Sequence, residues 1–350
     1  MSNMQDLADS SRRHFLKQSA IGGVALGIAA IQGGISPAHS VSAAANYGGL
    51  DAGDAAILRF LAAAELIEHD LWLQYAELGE NNPAYKEALE AIDDDMVDYA
   101  VDVTEDELSH HQFINAYLAS KGANPVNLDA FRTLPPPNVT GIAPTPRLTN
   151  LRNLTIDTSF YNRYRGTGNP DFGDTFPQIA TIIAQPAIPT VDGLGDKRLG
   201  AMARVATFHF ASIEVGGTSL YDSFLAKVSS SEVLKVVGSI YATEAIHYAI
   251  FEDTFGGITA FRNNAGTLVV PDLTGGKHDS EHVMPKRCTF LRRNLPTCSV
   301  IRPSSTENAG ALAAVKALTD SNLFQGQSAQ FFQKLHALAT AADAAIRSAA

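Results

Sequence analysis

Two Glu-x-x-His motifs, Glu107 to His110 and Glu244 to His247, lie on stretches whose apolar residues recur at helical spacing. Residues three apart in a helix share one face, so the glutamate and the histidine of each motif can reach a single metal ion. Such a pair restricts the chain strongly, because both segments must be helical and both must turn the same kind of face towards a shared interior.

A glutamate also interrupts the apolar stripe of the helical segment that precedes each motif. Glu65 lies before the first motif and Glu214 before the second, and an aromatic residue follows each by seven positions, Trp72 and Tyr221. The chain therefore repeats one pattern twice, a helix with Glu-x6-aromatic followed by a helix with Glu-x-x-His.

Four glutamates on bundle-facing stripes need compensating charge, because a buried, unpaired carboxylate costs several kcal/mol. No Lys or Arg occupies a matching bundle-facing position in the sequence. Two divalent metal ions held by four carboxylates and two neutral imidazoles would balance the charge. The alternative is a purely structural role, in which cations from elsewhere in the chain pair with the glutamates.

The apolar periodicity predicts four long helices in two pairs. Asp54 is the expected N-cap of the first helix and Gly79 its expected end, and the second helix is expected to end at Lys121-Gly122. The fourth helix is expected after a break at Ser230-Ser231. No sustained strand-like alternation competes with these segments. We therefore predict an all-α fold, a four-helix bundle with a long crossover between its second and third helices and additional C-terminal helices.

The sequence as a whole suggests a division of the chain into four parts. The expected parts are an N-terminal signal at 1–43, a flexible leader at 44–53, the bundle at 54–255 with an irregular connection at 123–196, and a C-terminal extension at 256–350. The extension begins with a loop and continues as Ala-rich helices. These helices can pack on the bundle or on a neighbouring copy in a homo-oligomer, and the sequence leaves both open.

The N-terminal segment is typical of a twin-arginine export signal. Arg12-Arg13 precede Phe15-Leu16-Lys17, an apolar run at 21–35 follows, and small residues at 43–45 suit a peptidase. The alternative is a transmembrane anchor, but the run is rich in Gly and Ala and shorter than the roughly 20 apolar residues that a span needs. The signal predicts contact with the export machinery and a periplasmic or otherwise exported location.

The number of cysteines excludes one kind of metal site, and the net charge argues against one class of partner. Cys288 and Cys298 are the only cysteines, and in an oxidising compartment they are most simply a disulfide, with a metal role as the alternative. Two cysteines cannot form a four-cysteine iron site. The formal net charge of −11, without a cluster of Lys and Arg, makes nucleic acid an improbable partner.

At residues 58–72 the sequence resembles the first helix of the ferritin-like superfamily, in which two glutamates three apart precede an aromatic residue. The resemblance covers 54–122 and 197–255. It extends to the six-ligand pattern of bacterioferritins and rubrerythrins, and most closely to exported ferritin-like domain proteins sometimes labelled desiccation-related. It implies that Glu65 and Glu214 are terminal ligands, that Glu107 and Glu244 bridge two metals, and that His110 and His247 each bind one.

The resemblance implies an exported protein with two iron ions, or manganese and iron, per chain. It would react with dioxygen or peroxide as a ferroxidase-like or peroxide-detoxifying oxidoreductase, with electrons from an external donor or the substrate. The alternative is a non-catalytic protein that sequesters metal or protects against desiccation and stress. Trp72 departs from the tyrosine common in bacterioferritin-like helices, and the long connection argues against a closed storage shell.

Several polar residues near the motifs have plainer interpretations. Glu68 is expected to be a surface or neighbouring carboxylate outside the ligand set, and His111 and His209 to be ordinary polar or hydrogen-bonded residues. The acidic run from Asp93 to Asp106 is expected to be a solvated face that can also attract cations. Gly216-Gly217 is costly in a helix, so it indicates either close packing or space beside Glu214 for dioxygen or a small substrate.

Overall fold

Helices dominate the fold, as the periodicity predicts. A computed structural model describes residues 50–165, 177–274 and 310–348. The proposed export signal and the Cys288–Cys298 pair lie outside the described residues. Within those ranges, no helix combines the length and the hydropathy that crossing a membrane requires.

Four long helices form the bundle, and the predicted all-α class is confirmed. The first pair consists of α1 (Ala52–Asn81) and α3 (Met96–Ser120), with the short α2 (Pro83–Glu90) between them. The second pair consists of α5 (Asp196–Leu225) and α6 (Ser231–Asp253). Within each pair the two helices pack along one another.

The first helix begins earlier than the sequence pattern predicts. Asp51, rather than Asp54, is its N-cap, and the Asp51 carboxylate accepts a hydrogen bond from Gly53 N at 2.7 Å. The Asp54 carboxylate is buried and accepts instead from Ser229 N at 2.8 Å and Ser230 N at 2.9 Å. The predicted cap is therefore wrong, because Asp54 holds the start of α6 against the start of α1.

Gly79 does not end α1, contrary to the prediction. The helix continues to Asn81, and a Cβ added at Gly79 would lie 2.9 Å from Val97 Cγ1. The glycine therefore permits a close approach between α1 and α3. The predicted end of the second helix holds, since Gly122 follows α3 with a φ of +76°, a conformation that glycine adopts without strain.

The connection between the two helix pairs contains little regular structure in its described part. A single 3₁₀ turn (Asp129–Phe131), the short helix α4 (Ser159–Arg165) and a two-residue strand, β1 (Thr181–Ile182), are present. Asp70 of α1 anchors this connection, because its carboxylate accepts hydrogen bonds from Leu148 N and Thr149 N, each at 2.9 Å.

A small antiparallel sheet joins the connection to the segment after α6, and no pattern in the sequence predicts this pairing. Its strands are β1, β2 (Phe261–Arg262) and β3 (Leu268–Val270), in the order β1-β3-β2. Thr181 pairs with Val269, and Phe261 pairs with Val270. The sheet fixes the connection across one end of the second helix pair.

The Ala-rich C-terminal region forms α7 (Ala311–Asp320) and α8 (Ala329–Asp343), and α8 packs on α1 of the same chain. The Asp343 carboxylate accepts from Ala311 N at 2.8 Å and Leu312 N at 2.9 Å, which satisfies two of the free amides at the start of α7. Of the two arrangements that the sequence left open, the structure therefore shows packing on the bundle.

His209 lies in the bundle core, which agrees with its interpretation as a hydrogen-bonded histidine. It is 2 % exposed, and its Nδ1 is hydrogen-bonded to Tyr75 Oη at 2.8 Å. Burial lowers the pKa of His209 from 6.5 to about 3. Between those two values the unfolded chain binds a proton that the folded chain does not, so this residue makes stability fall as pH falls below 6.5.

We therefore expect the free energy of unfolding of His209→Gln to fall less steeply with decreasing pH than that of the wild type. One proton corresponds to about 1.4 kcal/mol per pH unit, so the wild type should lose about that much more stability per unit than the variant between pH 6 and pH 4. Urea unfolding of the metal-free protein at half-unit steps measures both slopes, with pH 7.5 as the common baseline. Parallel slopes for the two proteins would contradict the argument.

Candidate metal centre

The six residues singled out by the sequence come together inside the bundle. Each long helix contributes at least one of these residues: Glu65 lies on α1, Glu107 and His110 on α3, Glu214 on α5, and Glu244 and His247 on α6. Their donor atoms form two overlapping groups, each with all donors within 4.8 Å of one another: Glu65, Glu107, His110 and Glu244, and Glu107, Glu214, Glu244 and His247. Glu107 and Glu244 belong to both groups, which is the arrangement that two adjacent ions sharing two carboxylates require.

The two groups repeat the same contact. In the first, His110 Nδ1 lies 3.1 Å from Glu65 Oε2 and 3.3 Å from Glu107 Oε2. In the second, His247 Nδ1 lies 3.2 Å from Glu214 Oε2 and 3.3 Å from Glu107 Oε1. In both groups the histidine Nδ1 lies next to the glutamate of the preceding long helix, Glu65 for His110 and Glu214 for His247. The pattern that the sequence repeats is therefore also repeated in this contact.

The site is deeply buried and carries little positive charge. Glu65, Glu107 and Glu244 are 0 % exposed, and Glu214 is 1 % exposed. Among the described residues, no lysine or arginine forms an ion pair with these four carboxylates, and their cationic neighbours are the two imidazoles. The purely structural alternative, which needs such cations, finds no support in the described part of the chain.

Several carboxylate oxygens in the site accept no hydrogen bond from any described residue. They are both oxygens of Glu244, Oε1 of Glu107 and Oε1 of Glu214. A buried acceptor without a partner costs about 1–3 kcal/mol. Carboxylate oxygens and imidazole nitrogens are donors that iron and manganese accept, so the residues present fit a pair of divalent metal ions.

Burial and mutual repulsion raise the pKa of three of these four carboxylates, Glu65, Glu214 and Glu244, in the metal-free protein. Burial, together with the charge of Glu107, raises the pKa of Glu65 to about 8, and burial raises the pKa of Glu214 to about 7. Burial works against a charge on His110 too, but the carboxylates of Glu65 and Glu107 raise its pKa to about 10. Burial also disfavours ionised Glu107, yet the adjacent side chains of Glu65, His110 and His247 bring its pKa below the usual range.

Asp106 is a site neighbour that the sequence analysis missed. Its Oδ2 lies 3.1 Å from His247 Nε2, on the opposite side of the ring from the glutamates. The side chain of Asp106 is 48 % exposed, which agrees with the expected solvated acidic face. A carboxylate at the outer nitrogen of an imidazole fixes the orientation of the ring. Only the approach of α6 to α3 brings the two residues together, so no local spacing could reveal the contact.

The two aromatic residues of the repeat differ in what they do. The Tyr221 hydroxyl donates a hydrogen bond to Glu65 Oε1 and so holds this carboxylate in place. Trp72 instead stacks on Phe251 with ring centroids 5.0 Å apart, and its indole N–H has no hydrogen-bond partner among the described residues. The departure from tyrosine at Trp72 therefore removes a hydroxyl from one half of the site and adds apolar packing.

Glu68 is buried rather than on the surface, so the surface interpretation is wrong. It is 8 % exposed, and burial together with the charges of Glu107 and Glu65 raises its pKa well above the usual range. It lies outside the two donor groups, in agreement with its exclusion from the ligand set. His111 is a polar residue outside the site, since its Nδ1 is hydrogen-bonded to Ala62 O at 2.7 Å.

The adjacent glycines of α5 differ, and only the expectation of close packing is confirmed. A Cβ added at Gly217 would lie 2.0 Å from Glu244 Oε2, so this glycine permits close packing. A Cβ added at Gly216 would meet nothing within 4 Å, so that glycine borders open space.

A family model described as a ferritin-like domain matches residues 53–257, which is more than half of the chain. The matched range includes the four long helices and all six site residues, and it ends before α7 and α8. No match was found among curated proteins or among solved structures.

Proposed function

Because the chain belongs to the ferritin-like domain family, we propose that its bundle holds two metal ions between the six site residues. Glu65 and His110 would bind one ion, and Glu214 and His247 the other. The remaining two glutamates, which belong to both donor groups, would bridge them. The observation that carries this proposal is the set of buried carboxylate oxygens without hydrogen-bond partners at the centre of the site.

We propose further that the ions are iron, or manganese with iron, and that the protein is an oxidoreductase acting on dioxygen or peroxide. Two such ions, when bound, supply a pair of electrons for the reduction of an oxygen species. The protein supplies the surroundings: buried carboxylates neutralise the ions, Tyr221 and Asp106 orient Glu65 and His247, and the packed aromatic core excludes water.

The sequence supports an exported location for this activity. Arg12 and Arg13 with their apolar sequel fit the twin-arginine route, which carries folded proteins, so metal can be loaded before export. The chain lacks the four cysteines of an electron-feeding iron site, so an external donor or the substrate would supply electrons.

Metal analysis of the full chain tests the proposal. We expect about two ferrous ions per chain after anaerobic loading, because each donor group has the donor count of one such site. Glu107→Ala and Glu244→Ala should each lose both ions, since each removes a shared ligand. Glu87→Ala, at an exposed position of α2, is the matched control and should keep both.

Oxygen consumption by the ferrous-loaded protein tests the redox part. We expect uptake of dioxygen in the wild type and in the control, and none above the rate of free iron in the two ligand variants. Two bound ions without oxygen or peroxide consumption would contradict the oxidoreductase and favour metal sequestration. Absence of bound metal in the wild type would overturn the proposal altogether.

A further inference from the structure

A cavity of about 690 Å³ lies beside the metal site. Helices α1 and α5 form one wall, and α7 with residues 155–157 and 178–183 of the connection forms the other. Two of its lining residues, Glu68 and Gly217, are neighbours of the site residues. A volume of this size is in the range of small-molecule sites in proteins.

The walls of the cavity are mainly apolar. Residues from α1, α5 and the connection supply large aliphatic and aromatic side chains, namely Phe60, Ile67, Ile156, Ile182, Ile213 and Leu220. Such a surface gains free energy when an apolar molecule displaces water from it.

The charged groups that line the cavity are acidic. They are Asp157 and Asp320, and no lysine or arginine is among the described lining residues. Glu68 also lines the cavity, but burial raises its pKa and favours its uncharged form. An anion such as a fatty-acid carboxylate would be repelled by these aspartates. The acidic groups therefore select against anions, and the apolar walls select against a cation, whose transfer out of water is costly, so the lining favours an uncharged occupant.

The Gly217 backbone lies between the cavity and the metal site. At Gly217 an added Cβ would lie 2.0 Å from Glu244 Oε2, so nothing but backbone separates the space from that carboxylate. The neighbouring Glu68 side chain, 8 % exposed, borders the cavity and feels the charges of the site glutamates, Glu107 first among them. Only the Gly217 backbone and the Glu68 side chain therefore stand between a bound molecule and the site residues.

We propose that this cavity binds an uncharged, apolar organic molecule and holds one end of it beside Glu68, next to the metal site. The assignment of this molecule as the substrate rests on the proposed function, whereas the binding itself does not. The two are tested separately.

The binding test compares two probes that share one ring system. N-phenyl-1-naphthylamine is uncharged, and 8-anilino-1-naphthalenesulfonate carries an added sulfonate. In fluorescence titrations of the full chain we expect saturable binding of the uncharged probe, and binding of the anionic probe weaker by about tenfold or more, because like charges repel. Equal affinity for the two probes would overturn the proposed selectivity.

A larger side chain in the cavity should weaken the binding of the uncharged probe. A Cβ at Gly216 meets nothing within 4 Å, so Gly216→Leu would place its side chain in the cavity without a clash at the backbone. We expect this variant to bind the uncharged probe about tenfold or more weakly than the wild type, because the leucine side chain takes up space that the probe would occupy. Gly238→Leu is the matched control: it lies outside the cavity lining, and its Cβ would meet only Leu225 Cδ2 at 3.8 Å.

A second variant enlarges a side chain on the opposite wall of the cavity. Ala314→Phe on α7 fills the same space, and circular dichroism before titration shows which variants are folded. Unchanged affinity in both filled variants, with both folded, would overturn the assignment of the cavity.

Cobalt substitution separates the cavity from the metal proposal. Co²⁺ quenches nearby fluorophores, so a cobalt-loaded wild type should quench the bound uncharged probe, and Glu107→Ala should bind the probe without quenching. Probe binding without cobalt uptake would overturn the proposed function and leave the cavity assigned. Stoichiometric cobalt with unquenched bound probe would overturn the placement of the molecule beside the site.

Discussion

Gly217→Ala is expected to weaken metal binding by at least about 100-fold, although alanine is the better helix residue by about 1 kcal/mol. The added methyl group would lie 2.0 Å from Glu244 Oε2 and 2.9 Å from its Cδ. No alanine can occupy that position unless the carboxylate leaves it. Because Glu244 belongs to both donor groups, its displacement should affect both ions.

Gly216→Ala is the matched control for this prediction. It makes the same substitution one residue earlier in α5, gains the same helix propensity, and places its Cβ where nothing lies within 4 Å. Competition with a chromophoric chelator measures the affinity of each variant, and thermal unfolding of the metal-free proteins measures stability. We expect equal or higher stability in both variants and a loss of affinity in Gly217→Ala alone. Equal affinity in the two would show that Glu244 is not held where a ligand must be.

The six site residues could be found from sequence because their signal is local. A glutamate and a histidine three apart on a helix are visible as a spacing, and a glutamate on an apolar stripe is visible as an interruption. Glu65 and Glu214 were identified in this way, and the structure places both within the two donor groups. The four helices were predictable for the same reason, since apolar periodicity depends only on neighbours in the chain.

Contacts between distant segments carry no such signal. The hydrogen bond from Tyr221 to Glu65 and the approach of Asp106 to His247 depend on how α1 meets α5 and how α3 meets α6. The pairing of β1 with β3 joins residues almost ninety positions apart. Helix crossing angles and strand partners are settled by packing of the whole chain, so these features became visible only in three dimensions.

The ends of the helices were predictable to within a few residues, but the roles of the residues at those ends were not. Asp54 and Gly79 are residue types that commonly cap helices, and both lie near the observed ends of α1. In the structure, tertiary contacts use them otherwise: Asp54 binds the start of α6, and Gly79 lets α3 approach. A residue type that suits a cap also suits other tasks, and sequence alone does not separate them.

Asp70→Ala is expected to destabilise the protein by about 3–5 kcal/mol, because three buried hydrogen-bond donors and the partly buried Arg132 would lose the acceptor that they share. Asp70 is 0 % exposed and pairs with Arg132. Its Oδ2 accepts from Leu148 N and Thr149 N at 2.9 Å and from Thr149 Oγ1 at 2.7 Å. Alanine would leave those buried donors without an acceptor and release the connection from α1.

Asp192→Ala supplies the matched control, because Asp192 makes a similar set of bonds at the surface. Its carboxylate accepts from Thr140 N and Thr140 Oγ1, each at 2.9 Å, in an exposed part of the same connection. Water replaces an exposed acceptor, so this variant should lose no more than about 1 kcal/mol. Urea unfolding of the metal-free proteins measures both, since bound metal would add its own stabilisation. Similar losses in the two variants would mean that the connection is not held by Asp70, and that the cavity wall formed by residues 155–157 and 178–183 depends on other contacts.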